Sequence, residues 1–443
     1  VALILKLDSM GNWRRTHYTK QITQDLHGQE ATLFGWVRDI RDLGGIAFIV
    51  LQDKEGTIQI TVPKKQVGEE VAQKVEQLRR QYCIGVKGKI KKSDEAPRGV
   101  EIIPTEIKIL NKAKHPLPLD VTGRTPAELD VRLSARVLDL RRIENQALFR
   151  IQHVVVEAIR DYLSSQGFLE VFTPKIITAA AEGGATLFPV DYFGRRAFLA
   201  QSPQLYKEQL TLSFEKVYEI ATYFRAEPSH TRRHLSEFVS VDVEAAFSTA
   251  EDVMQVLEGL IVHVYKAVNE KCTEELGVLR RKIEVPEAPF PRLTYDEVLE
   301  ELSGQGVEIK WGEDIPTPAL RQLEKLHPGF YFITDWPTAS KPFYIKPRDD
   351  RPEVCEAFDL MHGWVELASG GTRIHDKELL IKRLREQGLS IESFEPHLRS
   401  FDYGMPPHAG WGLGLSRLIM VITGIQNIRE VVLFPRDRFR LTP

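Results

Sequence analysis

Phe224-Arg225-Ala226-Glu227, Arg232-Arg233-His234-Leu235-Ser236-Glu237-Phe238 and Asp242-Val243-Glu244 belong to one stretch that crowds charge between two apolar runs. The runs, Lys216–Phe224 and Phe238–Phe247, read as strands. Val217, Glu219 and Ala221 alternate with Tyr218, Ile220 and Thr222, the period-2 pattern of a pleated strand. A hairpin built from them presents Arg225 and Glu227 from its rising arm, Arg233 and His234 from its bend, and Asp242 from its falling arm. Such a set is either a solvated surface with ion pairs of small worth or one wall of a site for a charged ligand. The segment alone leaves both open.

The 443 residues exceed one ordinary core, so two domains are expected. A composition of 42% hydrophobic and 27% charged residues describes a soluble globular chain. No apolar run approaches the ~20 residues of a membrane span. Val1–Leu7 is apolar but lacks a basic start and a cleavage site, so no signal peptide is expected. Cys83, Cys272 and Cys355 form no metal or disulfide spacing and fit a reducing cytoplasm. A net charge of −3 makes no case for nucleic acid, yet leaves room for a local basic patch.

From Ala31 to Asn111 the pattern is strand-rich. Thr32–Asp39, Ile46–Gln52 and Thr57–Val62 are short β runs separated by Gly44-Gly45 and Asp53–Gly56. A polar helix is expected over Gly68–Gln81, then strands at Ile84–Lys91 and Val100–Leu110. Five short strands with a helix between the third and fourth follow the order of an OB-fold barrel, which binds single-stranded nucleic acid on strands two and three. On that face Phe48 offers a plate for base stacking and Gln59 a two-way amide, with Arg38 and Arg41 adding positive charge. For Phe48 the plain alternative is core packing, which spacing alone favours. The barrel is placed at 17–111, after an extension over 1–16. Lys112–Pro126, with Pro116, Pro118, Gly123 and Pro126, reads as a semi-rigid linker, and the hinge is placed at 112–135. Arg132 and Arg136, then Arg141-Arg142, read by default as a solvated helix face.

Asn145–Gln166 carries Leu148, Ile151, Val155, Ile159 and Leu163 at helical spacing. Gly167 ends that helix, and Phe168–Thr173 reads as a strand stopped by Pro174. Glu182 opens a Gly183-Gly184 loop. Phe198–Lys207 reads as a strand turning into a helix, with Lys207 one turn inside, where a lone lysine is ordinarily solvated. Phe358–Met361 and Gly363–Leu367 look like central strands, and Ala368–Arg373 like a tight glycine turn opening a helix. Gly410–Leu418 is glycine-rich and passes into an apolar helix over Leu418–Thr423. Its glycines let backbone approach a ligand, and the helix start favours an anion. No parallel βαβ unit surrounds it, so it is no dinucleotide turn.

Three pieces in fixed order resemble motifs 1, 2 and 3 of the class II aminoacyl-tRNA synthetases: the helix and strand ending at Pro174, the Arg225–Arg233 hairpin, and Gly412–Arg417. The barrel ahead of them is similar to that of the aspartate/asparagine/lysine subgroup. Gln201-Ser202-Pro203-Gln204-Leu205-Tyr206-Lys207 and Phe401-Asp402-Tyr403-Gly404-Met405-Pro406-Pro407-His408-Ala409-Gly410 resemble the aspartyl enzymes of the archaeal/eukaryotic type. The span between residues 247 and 410 leaves little room for the insertion of the bacterial type. The resemblance implies an α+β protein: an N-terminal five-stranded OB-fold barrel, then over 136–443 a catalytic domain with a mainly antiparallel sheet flanked by helices.

The resemblance also implies roles. Arg225 and Arg417 are the catalytic cations, Arg225 on the ATP α-phosphate and the aspartate carboxylate, Arg417 at the γ-phosphate end. Arg233 and His234 serve the β/γ side, Glu227 the adenine amino group, and Leu235, Gly414, Leu415 and Ser416 adjoin the nucleotide. Glu366 and Ser369 match Mg²⁺-coordinating positions. Glu182, Gln204 and Asp242, with Arg225 and Ser369, surround the substrate ammonium and carboxylate. Lys207 and Arg373 grip the side-chain carboxylate, where asparagine enzymes place an acidic residue at the Lys207 position. Arg38, Phe48, Gln59 and Pro97 fall at anticodon-reading positions of the barrel. The Ala96–Gly99 turn is similar to that of members also charging asparagine tRNA, whereas Arg38 fits neither pattern. ATP, Mg²⁺, aspartate, aspartate tRNA and a homodimer through 145–174 are therefore expected. The alternatives are an asparaginyl enzyme, a tRNA-independent asparagine synthetase-like ligase, whose kind lacks the barrel, and a non-enzymatic RNA-binding paralogue, whose kind loses a phosphate-binding arginine.

Overall fold

Alternation decides which way each strand of the N-terminal unit faces. Ala47, Ile49 and Leu51 are buried, while Phe48 and Val50 between them remain half-exposed. In the computed structural model, which describes residues 7–178, 187–226 and 231–443, the chain divides into Val1–Asn145 and Gln146–Pro443. The first unit closes a barrel from β1 (Glu30–Asp42), β2 (Ile46–Gln52), β3 (Thr57–Pro63), β4 (Cys83–Lys92) and β5 (Val100–Asn111) in the order β1-β2-β3-β5-β4. The helix Glu69–Gln77 turns Val71 and Val75 into the barrel core. It is shorter than the run expected over Gly68–Gln81.

The basic clusters after the linker are not a solvated face. Arg136 is 1% exposed, and its Nη1 donates to Asp139 Oδ2 at 2.7 Å, with Asp139 itself fully buried. Arg132 Nε donates to the other oxygen at 3.0 Å. Arg141 stacks on Trp36 at 4.4 Å and donates to Gln81 Oε1. Reading the arginines alone missed Asp139, the counter-charge that permits their burial.

In the second unit, β10 (Lys216–Phe224) and β11 (Glu237–Ala246) form the hairpin read from the sequence. Ahead of it lie β6 (Leu169–Glu170), β7 (Ile176–Ile177), β8 (Pro189–Tyr192) and β9 (Arg195–Leu199). After it come β12 (Arg292–Thr294), β13 (Phe330–Thr334), β14 (Ala357–His362), β15 (Val365–Thr372) and β16 (His408–Gly414). The main sheet runs β12-β13-β14-β15-β16-β11-β10-β6, antiparallel except at its two edges, and β7-β9-β8 form a small side sheet. Helices Ile143–Ser165, Ala250–Lys271 and Leu415–Thr423 cover one face through Ile151, Leu257, Ile419 and their neighbours. On that side Trp411 is wholly buried and donates to Val253 O.

Two local readings change. Ala368–Arg373 is no turn: β15 runs through to Thr372, and the next helix begins at Lys377, capped by Asp376 accepting from Leu379 N. Gly370 is there because a Cβ would meet Gly410 O at 2.5 Å and Phe358 Cζ at 2.6 Å. It marks close strand packing, not a bend. The strand expected over Phe168–Thr173 pairs only at Leu169–Glu170, because Thr173 N donates instead to the Glu219 carboxylate. Among the described residues no helix is long and apolar enough to cross a membrane, and the three cysteines are unbonded.

Asp139→Ala leaves the buried Arg136 unpaired. It should cost about 3–5 kcal/mol, read as a lowered urea midpoint, and an unchanged midpoint would show that the pair is solvated.

Candidate functional site

Alternation along β11 puts Val241, Val243 and Ala245 into the helix-covered core and turns Ser240, Asp242 and Glu244 to the opposite face. There β11, β15 and β16 floor a cavity of about 360 Å³. The helix Gln204–Phe214 packs against this floor with an unusual stripe. Its buried positions are Gln204, Lys207, Glu208 and Thr211, polar residues at core-facing spacing.

That stripe explains Lys207. Its ammonium is buried, donating to Asp242 Oδ1 and Trp411 O at 3.1 Å each and lying 3.5 Å from Glu244 Oε2. Arg373, at the end of β15, meets the same carboxylate: Nε to Oε1 at 2.9 Å and Nη2 to Oε2 at 3.3 Å. Burial would lower the Arg373 pKa, but Glu244 more than offsets it and holds the guanidinium above its ordinary value. The two cations therefore converge on one carboxylate, although they stand far apart in the chain. Arg373, Asp242 and Gln204 line the cavity, and Lys207 lies beneath, behind Asp242. Gly410 makes room for the pair, since a Cβ there would sit 2.1 Å from Val243 O and 2.2 Å from Glu244 Oε2.

The other end of the cavity is rich in guanidinium. Arg225, Arg233, His234, Leu235, Ser416 and Arg417 line it, with Gly414 beside them. Arg417 Nη1 donates to Glu366 O at 2.9 Å and to Glu366 Oε1 at 3.2 Å. Arg233 donates to Thr317 Oγ1 at 2.7 Å and lies 4.4 Å from the Trp364 ring, against which Arg321 also stacks. Burial, then repulsion from Arg417, pulls the Arg233 pKa below its ordinary value. Cations crowded this way suit a polyanion. Leu415 does not line the cavity but packs in the core, and Glu182 and Glu227 lie outside the described residues.

Asp359 was not singled out from the sequence. It pairs in register with Ser369 across β14 and β15, and its Oδ2 accepts from Lys341 at 2.6 Å. Its buried Oδ1 has no hydrogen-bond partner among the described residues. Burial, and the negative charge of Glu366, raise its pKa against the pull of Lys341. Burial opposes ionisation of Glu366 as well, but Arg417, Lys341 and Arg225 bring it below the usual carboxylate range. An aspartate inside an otherwise apolar strand was the available signal, as Glu244, two places beyond Asp242, was for the floor.

On the barrel, Phe48 falls outside the core cluster and on the outward face with Gln59. Gln59 Nε2 donates to Thr61 Oγ1 at 3.1 Å and Glu101 Oε2 at 3.3 Å. The register sets Arg41 opposite Phe48, whereas Arg38 sits at a β1 bulge and donates to Gln52 Oε1 and Arg141 O. Arg38 is thus engaged in holding the segment after the linker. Pro97 is exposed on a turn whose Arg98 donates to the carbonyls of Thr19, Lys20, Ile22 and Thr57.

The family described as class II tRNA synthetases (D, K and N) matches residues 128–438, and OB-fold nucleic acid binding domains match 31–110. The chain belongs to the class II tRNA synthetases. It is 53% identical over 427 residues to an aspartate–tRNA(Asp/Asn) ligase of Archaeoglobus fulgidus, covering 96% of this chain and 99% of that one. It is 51% identical over 435 residues to the ligase of the same description from Methanothermobacter thermautotrophicus, covering 98% and 100%. Among solved structures it is similar to an asparaginyl-tRNA synthetase from Pyrococcus horikoshii complexed with asparaginyl-adenylate, with 32% identity, a TM-score of 0.92 and coverage of 97% and 100%. An aspartyl-tRNA synthetase from Entamoeba histolytica matches at 32% identity and a TM-score of 0.86, covering 96% and 93%.

In this synthetase Gly410→Ala would drive a methyl group into Val243 O and the Glu244 carboxylate. A loss of roughly 2–3 kcal/mol is expected, seen as a lower melting temperature. A melt equal to wild type would mean that Glu244 has space to retreat.

Proposed function

We propose that the chain is an aspartate–tRNA ligase of the cytoplasm. It joins aspartate and ATP to aspartyl-adenylate and pyrophosphate, then passes aspartate to the 3′ end of aspartate tRNA and, as in the relatives named for both, of asparagine tRNA. The observation that carries this reading is the convergence of two buried cations, Lys207 and Arg373, at one end of a cavity whose other end gathers Arg225, Arg233 and Arg417. An acidic side chain offers the Arg373 guanidinium, which lines this end, a charge-assisted partner that a neutral amide matches less well.

The substrate carboxylate is itself the nucleophile, so no side chain need remove a proton. Arg225, on the cavity wall, is suited to the attacking carboxylate and the α-phosphate together, offsetting charge where the pentavalent centre forms. Arg417 and Arg233, with His234, hold the departing phosphates. Gln204 and Asp242 offer oxygens to the substrate ammonium. Asp359, Glu366 and Ser369 supply the hard oxygen donors that Mg²⁺ prefers, and the unbonded Asp359 Oδ1 fits such a ligand. No group of three or more metal-ligating side chains occurs among the described residues. When bound, Mg²⁺ neutralises phosphate charge.

On the barrel, Phe48 stacks on an anticodon base, while the free carbonyl of Gln59 accepts from an imino N–H such as that of uracil. Leu169 is exposed, and Phe172 is 82% exposed. These apolar residues support a homodimer through the 145–174 segment.

Lys207→Glu should cut aspartate-dependent pyrophosphate exchange by about 100-fold or more; retention of exchange at an ordinary KM would remove the substrate assignment. Phe48→Ala should lower tRNA charging about tenfold and leave exchange intact. Equal losses in both assays would make Phe48 a folding residue.

A further inference from the structure

Beneath the amino-acid end of the cavity lies a buried acid that the activation chemistry does not use. Glu208, one turn beyond Gln204 on the same helix, is fully buried, and its Oε1 accepts from Gln204 Nε2 at 2.6 Å. Its Oε2 faces His397 Nε2 at 3.3 Å and His408 Nε2 at 3.7 Å. Among the described residues none of these three atoms has a partner in hydrogen-bond geometry.

The surroundings assign the protons. His408 Nδ1 lies 2.8 Å from Pro406 O, an acceptor, so Nδ1 carries hydrogen. Its Nε2 faces a carboxylate, which is favourable only if that nitrogen is protonated too. His408 is then an imidazolium. His397 differs, because its Nδ1 lies 3.3 Å from the amide nitrogen of Gln209 and accepts from it. A neutral His397 can present Nε2–H to Glu208.

We propose that Glu208, seated between His397 and an imidazolium His408, is a positioning residue of the amino-acid pocket, fixing the Gln204 amide and balancing the charge under the substrate. The proposal rests on the reading of aspartate as substrate. Anchored through its amide nitrogen, Gln204 keeps its carbonyl oxygen for the cavity it lines. On and beneath the floor of that cavity, Lys207, Arg373 and His408 stand against Asp242, Glu244 and Glu208. Loss of the His408 proton leaves an excess of negative charge below an acidic substrate.

His408 is faced by Glu208 from the helix Gln204–Phe214, Glu244 from β11 and His375 from the segment after β15, while His397 from the helix Glu395–Phe401 approaches the same Glu208 oxygen. Arg373 lies alongside, its backbone N–H donating to His408 O. Burial opposes the imidazolium, yet Glu208 and Glu244 prevail and raise its pKa. Burial likewise opposes the Glu208 carboxylate, and the two imidazoles hold it below the usual range. A raised histidine value means that the cation is present at lower pH and lost as pH climbs through that value. Aspartate binding should weaken in the same window.

Glu208→Gln keeps an acceptor for Gln204 and removes the charge, whereas Glu208→Ala removes both. Pyrophosphate exchange across neutral and alkaline pH should show the aspartate KM of Glu208→Gln raised about tenfold and the ATP KM within about twofold. The alkaline rise in aspartate KM should begin at lower pH than in wild type, and Glu208→Ala should be worse at every pH. Carbon-13 histidine NMR should show the His408 resonance titrating at lower pH in Glu208→Gln than in wild type. Parallel changes in both KM values, or an alkaline limb and His408 titration that the substitution does not move, would overturn the proposal. A wild-type protein with no aspartate-dependent exchange would instead count against the substrate reading. The histidine titration needs no substrate, so it would still decide whether Glu208 holds an imidazolium.

Discussion

The Glu244 carboxylate, buried at the sheet and held by Arg373 from one side and Lys207 from the other, is the constraint on which the catalytic unit depends. A charge removed from water at such a position persists only with partners in good geometry, and removal of one partner costs far more than the pair contributes. This accounts for much of what surrounds it. The helix Gln204–Phe214 must present a polar stripe where a core helix ordinarily presents leucines, and β16 must carry Gly410 so that the carboxylate has room. The face of β11 opposite the helical core is thereby committed to charge before any ligand arrives, a form of preorganisation.

The arginine-rich end follows a different logic. Its cations are held loosely enough to exchange partners, Arg417 with the Glu366 backbone and side chain, Arg233 with a threonine hydroxyl and a tryptophan face. Neutral or half-exposed partners cost little to give up when a polyanion is offered, whereas the floor beneath Arg373 and Asp242 has no such slack. One end of the cavity is therefore rigidly paired and the other adaptable.

Much of this was legible in the chain, for identifiable reasons. The barrel strands follow from alternation and glycine-bounded turns, and the β10–β11 hairpin agrees with its reading to within a residue at each strand end. The misreadings share one cause, the use of local rules where tertiary contacts decide. Gly370-Gly371 looked like a turn because local sequence does not reveal that a neighbouring strand leaves no space for Cβ. Arg136 looked solvated because its partner Asp139 was not weighed with it. Lys207 made sense only in company, and the company included Glu244, which was passed over beside Asp242. Asp359 went unremarked although an acid inside the apolar run Phe358–Met361 calls for a reason. Arg38 carries charge near the barrel face, but a one-residue bulge in β1 redirects it and leaves Arg41 across from Phe48.

The central claim is that buried charge selects an acid over its amide. The most direct measurement is the ratio of kcat/KM for aspartate to that for asparagine in pyrophosphate exchange by the unaltered protein. A site whose Arg373 guanidinium lines the cavity and takes a second carboxylate more readily than an amide predicts a preference for aspartate of about 100-fold. Comparable values for the two amino acids, or a preference for asparagine, would contradict it.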